Sequence, residues 1–208
     1  MGLTIRPVRG RQARPWLDEL AALRIRVFRD FPYLYDGTLE YERGYLEEYA
    51  RSDHSVIVLA LDGNRVVGCS TGLPISDADH AFQQPFVQAG FELANVFYFG
   101  ESVLDAGWRG RGIGHRFFDE REGHAFALGF ETTTFCAVQR PVDHPLRPSD
   151  YRPLDAFWKK RGYRPRPDLI TQFSWKDLDQ PEETDKPMQF WVSHSSINSM
   201  ITATGAEP

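Results

Sequence analysis

Cysteine is scarce: Cys69 and Cys136 are the only two in 208 residues, and each stands inside an apolar run that reads as strand. Two such residues cannot build a disulfide framework or a CxxC metal site, which points to a reducing compartment. Lysine is confined to Lys159, Lys160, Lys176 and Lys186, the other basic residues being arginine, a bias that carries no function by itself. Positive charge is not in surplus either. The 24 basic and 29 acidic side chains leave a net charge of −5, which argues against a chain whose main business is holding nucleic acid. Any anion site must be local. Behind Arg6, Arg9, Arg11 and Arg14 there is no continuous apolar stretch, and no segment reaches membrane-spanning length. The expectation is therefore a soluble cytoplasmic protein with no signal peptide and no membrane partner. No Pro/Gly/Ser-rich linker divides the middle of the chain, so one large domain is expected.

What is present is ordinary globular material, with 41% apolar and 13% aromatic residues, enough for a sizeable core. Leu3 to Val8 alternates as an edge strand. Trp16, Leu20, Leu23 and Val27 then recur at helical spacing, and a second helix is expected from about Thr38 to Arg51. Ser55–Leu61 and Arg65–Leu73 flank the turn Asp62-Gly63-Asn64 and read as a hairpin. A polar insertion over 76–95 has a helical fragment near Phe82–Ala89. A strand over Val96–Leu104, a helix from Ile113 to about Leu128 and a strand over Thr132–Val138 form a parallel unit joined through the helix. A long loop with four prolines leads to a short helix, Leu154–Arg161, and a strand, Leu169–Trp175. This predicts an α/β fold with a mixed central β-sheet flanked by helices, over residues 1–177. Residues 178–208 are expected to be a partly disordered extension whose apolar patch, Met188–Val192, docks somewhere. Within it Phe190 and Trp191 hint at an intersubunit contact and hence a homodimer.

The chemistry concentrates where the strand Val96–Leu104 meets the following helix, at Arg109-Gly110-Arg111-Gly112-Ile113-Gly114. Glycines remove β-carbons and allow tight turning, so successive N–H groups can face phosphate oxygens. The helix start adds positive potential, and Arg109 and Arg111 add charged donors. A diphosphate suits such a site. The G-x-G-x-x-G dinucleotide spacing is not met, and no glycine precedes Lys and Ser or Thr as in a P-loop. The plainer alternative is a glycine-rich turn with two solvated arginines.

This junction resembles that of the GNAT superfamily of N-acetyltransferases, whose signature there is Q/R-x-x-G-x-G/A. The resemblance extends from the first strand to about Trp175. It implies the GNAT acyl-CoA N-acyltransferase fold, acetyl-CoA as co-substrate, and Arg109 to Gly114 with His115 around the pyrophosphate. It also implies Val103 and Leu104 along the pantetheine arm, and a strand that splays from its neighbour, with Gly100 as a place for the associated bulge. The implied activity is direct acetyl transfer to the primary amine of a small molecule. Peptide or protein acceptors come second, and a CoA-binding sensor or interaction module without chemistry is the contrasting class. The run Phe28–Gly37 is also similar to that of a GNAT subgroup.

Acetyl transfer to an amine calls for a base and an acid. Glu101, a carboxylate in an apolar strand beside the presumed thioester, is the candidate base, desolvation raising its pKa; pairing with an arginine is the equal alternative. The family often places a tyrosine as acid four residues before the glycine in F-Y-x-x-x-G-F. Here Phe157-Trp158-Lys159-Lys160-Arg161-Gly162-Tyr163 puts Trp158 there, leaving Tyr151 as substitute acid or as packing, and His144 beside Asp143 as a weaker choice. Phe31, Tyr33 and Tyr35, with Tyr41 nearby, border the acceptor region in the family and could bind a cationic substrate or simply pack. The six histidines show no metal-binding spacing, so no metal is implied.

Overall fold

The computed structural model describes residues 2–194. Eight strands form one mixed sheet in the order β1-β2-β3-β4-β6-β8-β7, with β5 attached to β3 alone. Strands β1 (Leu3–Val8), β2 (Val56–Asp62) and β3 (Arg65–Pro74) make an antiparallel meander. β4 (Val96–Tyr98) and β6 (Thr132–Val138) form the parallel pair. Both β8 (Glu183–His194) and β7 (Arg164–Lys176) run antiparallel to their neighbours.

Helices cover both faces, which is why β2 reads as unbroken apolar sequence rather than as an alternation. Val56, Val58 and Ala60 point to a core shared with α4 (Ile113–Ala127), while Ile57, Leu59 and Leu61 point to one shared with α1 (Leu17–Phe28) and α2 (Leu39–Arg51). Each fully buried Leu or Ile there contributes roughly 1.5–3 kcal/mol. The short α3 (His80–Gln88), capped by Asp79 accepting from the Ala81 N–H at 2.8 Å, brings Phe82 and Phe86 onto the α1/α2 face. α5 (Asp155–Lys160) lies on the opposite face with Phe157 and Trp158.

Three sequence expectations need correction. The chain after 177 is no loose extension: β8 sits between β6 and β7, pairing Cys136 with Phe190 and Trp191 with Pro165. A boundary at 177 would cut between paired strands. Phe190 and Trp191 are 0% and 3% exposed, so they are spent on the chain's own core and cannot reach a partner. The remainder of the tail, residues 195–208, lies outside the described residues. Finally, the strand expected over 96–104 is two strands, β4 and β5 (Ser102–Leu104), and that interruption builds the site.

Candidate active site

At Tyr98 the chain is still paired to Thr134 of β6, and the Phe99 N–H donates to the Thr134 carbonyl at 2.7 Å. Three residues later, β5 pairs only with β3, Val103 against Cys69. A gap therefore opens between β5 and the second half of β6. Gly100 stands at the break because nothing larger fits: a Cβ there would lie 2.0 Å from the Tyr49 hydroxyl and 2.6 Å from Thr71 Oγ1. The break is held by Arg121 of α4, 2% exposed. It donates to the Thr71 and Glu101 carbonyls at 3.2 and 3.1 Å and to Ser102 Oγ at 2.9 Å. Burial pulls its pKa down to about 10, and its guanidinium lies over Phe99, 4.3 Å from the ring centre.

Beyond β5 the chain reaches the mouth of α4. Gly110 and Gly112 both hold φ of +76°, a conformation that costs an L-residue roughly 1–2 kcal/mol. No side chain caps the helix, and among the described residues no acceptor is in place for the N–H groups of residues 110–114. His115 drops out of the cradle, since its N–H donates to the Gly112 carbonyl at 3.1 Å and its ring packs edge-on against Phe157 and near Arg161. Arg109 is turned toward Asp30 at 3.1 Å and toward the Leu104 carbonyl at 3.3 Å. Arg111 lies over Trp108 and donates to the Gly107 carbonyl at 2.9 Å. Releasing an exposed pair such as Arg109–Asp30 costs about 0–1 kcal/mol, less than the roughly 1.5–3 kcal/mol of a charged hydrogen bond to phosphate. The residues present thus fit a diphosphate.

On the α1/α2 face a cavity of about 180 Å³ lies between α1, α2, Tyr98 of β4 and the β7–β8 hairpin. Tyr33 and Tyr35 line it, with Tyr41, Tyr45, Phe173 and Trp175. Phe31 does not: it meets Tyr151 edge-on, ring centres 4.7 Å apart, with Arg147 above Tyr151. Tyr151 is likewise not among the cavity walls; it stands outside them with Phe31 and Arg147. Trp158 packs against Phe135 and Trp191 in the α4 core.

Glu101 is buried at 8% exposure, but it is not alone. Arg24 Nη1 lies 2.6 Å from its Oε1, and the Tyr45 hydroxyl donates to its Oε2 at 3.1 Å. The Arg24 contact is too poorly aligned to count as a hydrogen bond, so it is a charge contact that leaves Glu101 Oε1 without a donor. Arg24 also hydrogen-bonds Glu42 through Nε. Burial would lower the Arg24 pKa, yet Glu101, Tyr45 and Glu42 together raise it above the guanidinium norm. Burial raises the Tyr45 pKa, with Glu101 adding to it. Tyr45 is therefore a neutral hydroxyl joining cavity to carboxylate.

Sequence reasoning overlooked Arg24, Glu42, Tyr45 and Arg121. A usable signal existed for the two arginines, since each falls on the apolar stripe of its helix, Arg24 four residues after Leu20 and Arg121 four after Phe117. Glu42 offered none, as α2 is rich in acids that are mostly solvated.

Among the described residues no helix is long and apolar enough to cross a membrane, and no cluster of three potential metal ligands occurs. The sheet order, the split strand and the open helix mouth define the GNAT type of fold. Residues 20–148 match the family model described as the Acetyltransferase (GNAT) family, and the chain belongs to that family, an acetyltransferase by descent. Among solved structures it is similar to an N-acetyltransferase from Staphylococcus aureus Mu50, with TM-score 0.61 and 13% identity over 93% of this chain and 99% of that one. A ribosomal-protein-alanine N-acetyltransferase from Brucella melitensis gives TM-score 0.60 and 14% identity over 92% and 99%. At such identities the likeness speaks for the fold alone. No curated protein matches the sequence closely enough to count as a relative.

Proposed function

We propose that the protein is an acetyl-CoA-dependent N-acetyltransferase acting on the primary amine of a small molecule by direct attack in a ternary complex. The observation that carries this reading is the uncapped α4 mouth at the end of the split strand, together with the aromatic cavity at Tyr98, where the split begins. Acetyl-CoA, when bound, supplies an acetyl group on a thioester. The free N–H groups of residues 110–114 would hold its diphosphate, and the open edge of β5, at Val103 and Leu104, would line its arm.

On transfer the amine nitrogen gains the bond to the acetyl carbon, the carbon–sulfur bond breaks, and one proton must leave the nitrogen. Tyr45 reaches both the cavity and Glu101, so the proton passes through its hydroxyl to Glu101 Oε2. Burial pushes the Cys136 thiol up to about 12, which keeps it a protonated core residue and supports direct attack over a thiol intermediate.

Titration calorimetry with acetyl-CoA and CoA, followed by free-thiol release over a panel of primary amines, tests the proposal. The expected result is binding of both and amine-dependent thiol release. No binding of acetyl-CoA overturns it. Binding without turnover on any amine would favour a CoA-binding module, a reading to which Arg24 beside Glu101 and Trp158 in the usual tyrosine place lend some weight.

A further inference from the structure

The cavity is electrically unbalanced. Arg24 and Lys176 line it against Asp36, Glu42 and Glu183, and Glu101 lies just behind the wall. The buried cation is not available to a ligand, and the other belongs to an exposed pair at the rim, already balanced by an acid. Arg24 is committed to both Glu42 and Glu101, and Lys176 reaches Asp36 at 3.0 Å. Arg121 lies against the Glu101 segment from the α4 side, whereas Glu42 faces the cavity with Arg24 as its one ion-pair partner, among tyrosines that burial keeps protonated. Glu42 is 0% exposed, and apart from the Tyr35 hydroxyl beside the carboxylate no donor serves its Oε1 among the described residues. A buried carboxylate oxygen left in that state costs free energy that a cationic ligand would recover.

The rest of the wall is aromatic. Faces of Tyr33 and Tyr35 attract cations, those of Tyr45 and Trp175 being already met by Arg24 and by Lys186 and Arg140, and Phe82, Phe173 and Met188 supply apolar contact. A cavity of about 150 Å³ holds one benzene ring, so the 180 Å³ here accommodates a single ring or an equivalent branched chain with a short arm. Deep in the cavity beside Glu42, away from Lys176 at the rim, a carboxylate on the acceptor would meet an acid without a free cation to answer it.

We infer that the acceptor is a small, singly cationic primary amine with a compact apolar body, held by Glu42 and the surrounding tyrosines, and that acceptors bearing a carboxylate are rejected. This rests on the reading of the cavity as the acceptor site for acetyl transfer. The ammonium binds as a cation and releases one proton to solvent before attack; the second, lost on transfer, is the one that passes through Tyr45 to Glu101.

The test is calorimetric binding to the full chain without acetyl-CoA, using 2-phenylethylamine as its ammonium, the neutral isostere 2-phenylethanol, and phenylalanine. The ammonium should bind at least tenfold tighter than either of the others. Equal binding of the alcohol, or tighter binding of phenylalanine, overturns the inference. Glu42→Gln should abolish the preference, and since that change can unfold the chain, Glu183→Lys on the exposed start of β8 serves as second variant. Replacing a negative with a positive charge at the cavity edge should weaken the ammonium about fivefold while leaving the alcohol unchanged; no change counts against the inference. Separate titration with acetyl-CoA keeps the two readings apart. Ammonium binding without acetyl-CoA binding removes the acetyl-transfer reading and leaves the cation site standing, and acetyl-CoA binding without ammonium preference does the reverse.

Discussion

At the scale of single residues, Glu101 and Arg111 separate chemistry from cofactor affinity. Glu101→Gln keeps the shape and the contact to Tyr45 but removes the proton acceptor. A lost general base costs roughly 10²–10⁴ in rate, so kcat should fall by about that factor while acetyl-CoA affinity, measured by calorimetry, stays nearly constant. Unchanged turnover would reduce Glu101 to a counter-ion for Arg24. Arg111→Glu should do the opposite. Its side chain is exposed at the helix mouth, so folding should be untouched. Losing one charged hydrogen bond worth about 1.5–3 kcal/mol raises the acetyl-CoA Kd by at least tenfold. Equal affinity in wild type and variant would mean that the backbone amides alone carry the diphosphate.

At the scale of elements, the break between β4 and β5 depends on α4 through one side chain. Arg121→Met preserves the bulk against Phe99 and Phe118 but leaves the Thr71 and Glu101 carbonyls without the donors they now have. Each buried group left unpaired costs about 1–3 kcal/mol, so a marked fall in Tm is expected, together with a fall in kcat larger than the change in acetyl-CoA Kd, because Glu101 sits on the released segment. A variant with lowered Tm but wild-type kcat would show that the break holds its shape without the arginine. The elements themselves were largely legible: periodicity located α1, α2 and α4, and the turn Asp62-Gly63-Asn64 located the β2–β3 hairpin. The split was less so, because Val96–Leu104 is apolar almost throughout and pairing with different neighbours leaves no mark on composition. Gly100 alone hinted at it. β8 was hidden by its proline and its charges, Glu183, Asp185 and Lys186, which suggest a tail. Lys186 is nonetheless buried at 5% exposure, its ammonium donating to the Trp175 and Thr184 carbonyls at 2.8 and 2.7 Å. The anion loop was readable because glycine spacing is a local property, whereas the acidic cavity is assembled from α1, α2, β4 and the β7–β8 hairpin and exists only after folding.

At the scale of the whole molecule, stability should follow pH through groups whose proton affinity changes on folding. His124 of α4 is buried against Phe97 and bonds the His54 carbonyl at 2.8 Å through Nε2. Burial lowers its pKa below the ordinary 6.5, the carbonyl opposing that shift only in part. Below pH 6.5 the unfolded chain therefore holds more protons at this site than the folded one, and stability falls as pH drops. Asp177 acts lower down. Burial would raise its pKa, but Arg140, bound at 2.7 and 2.8 Å, and Lys186 prevail and lower it. Its contribution is present above the ordinary carboxylate value of 3.8 and is lost as pH falls through the lowered one. Arg140 also donates to the Pro32 and Tyr33 carbonyls at 2.8 Å, so protonating Asp177 loosens the loop that carries Tyr33 and Tyr35 into the cavity. Cys136, raised from 9.0 to about 12, has the opposite sign: its contribution is complete below 9.0 and declines above it. Calorimetric scans across pH should thus show a plateau in Tm between about 6.5 and 9, with a gentle decline beneath it and a steeper one below 4. His124→Gln, which keeps an N–H for the His54 carbonyl and cannot be protonated, should remove the first decline and leave the second. If that variant loses Tm between pH 6.5 and 5 as the wild type does, the histidine is not the group being titrated.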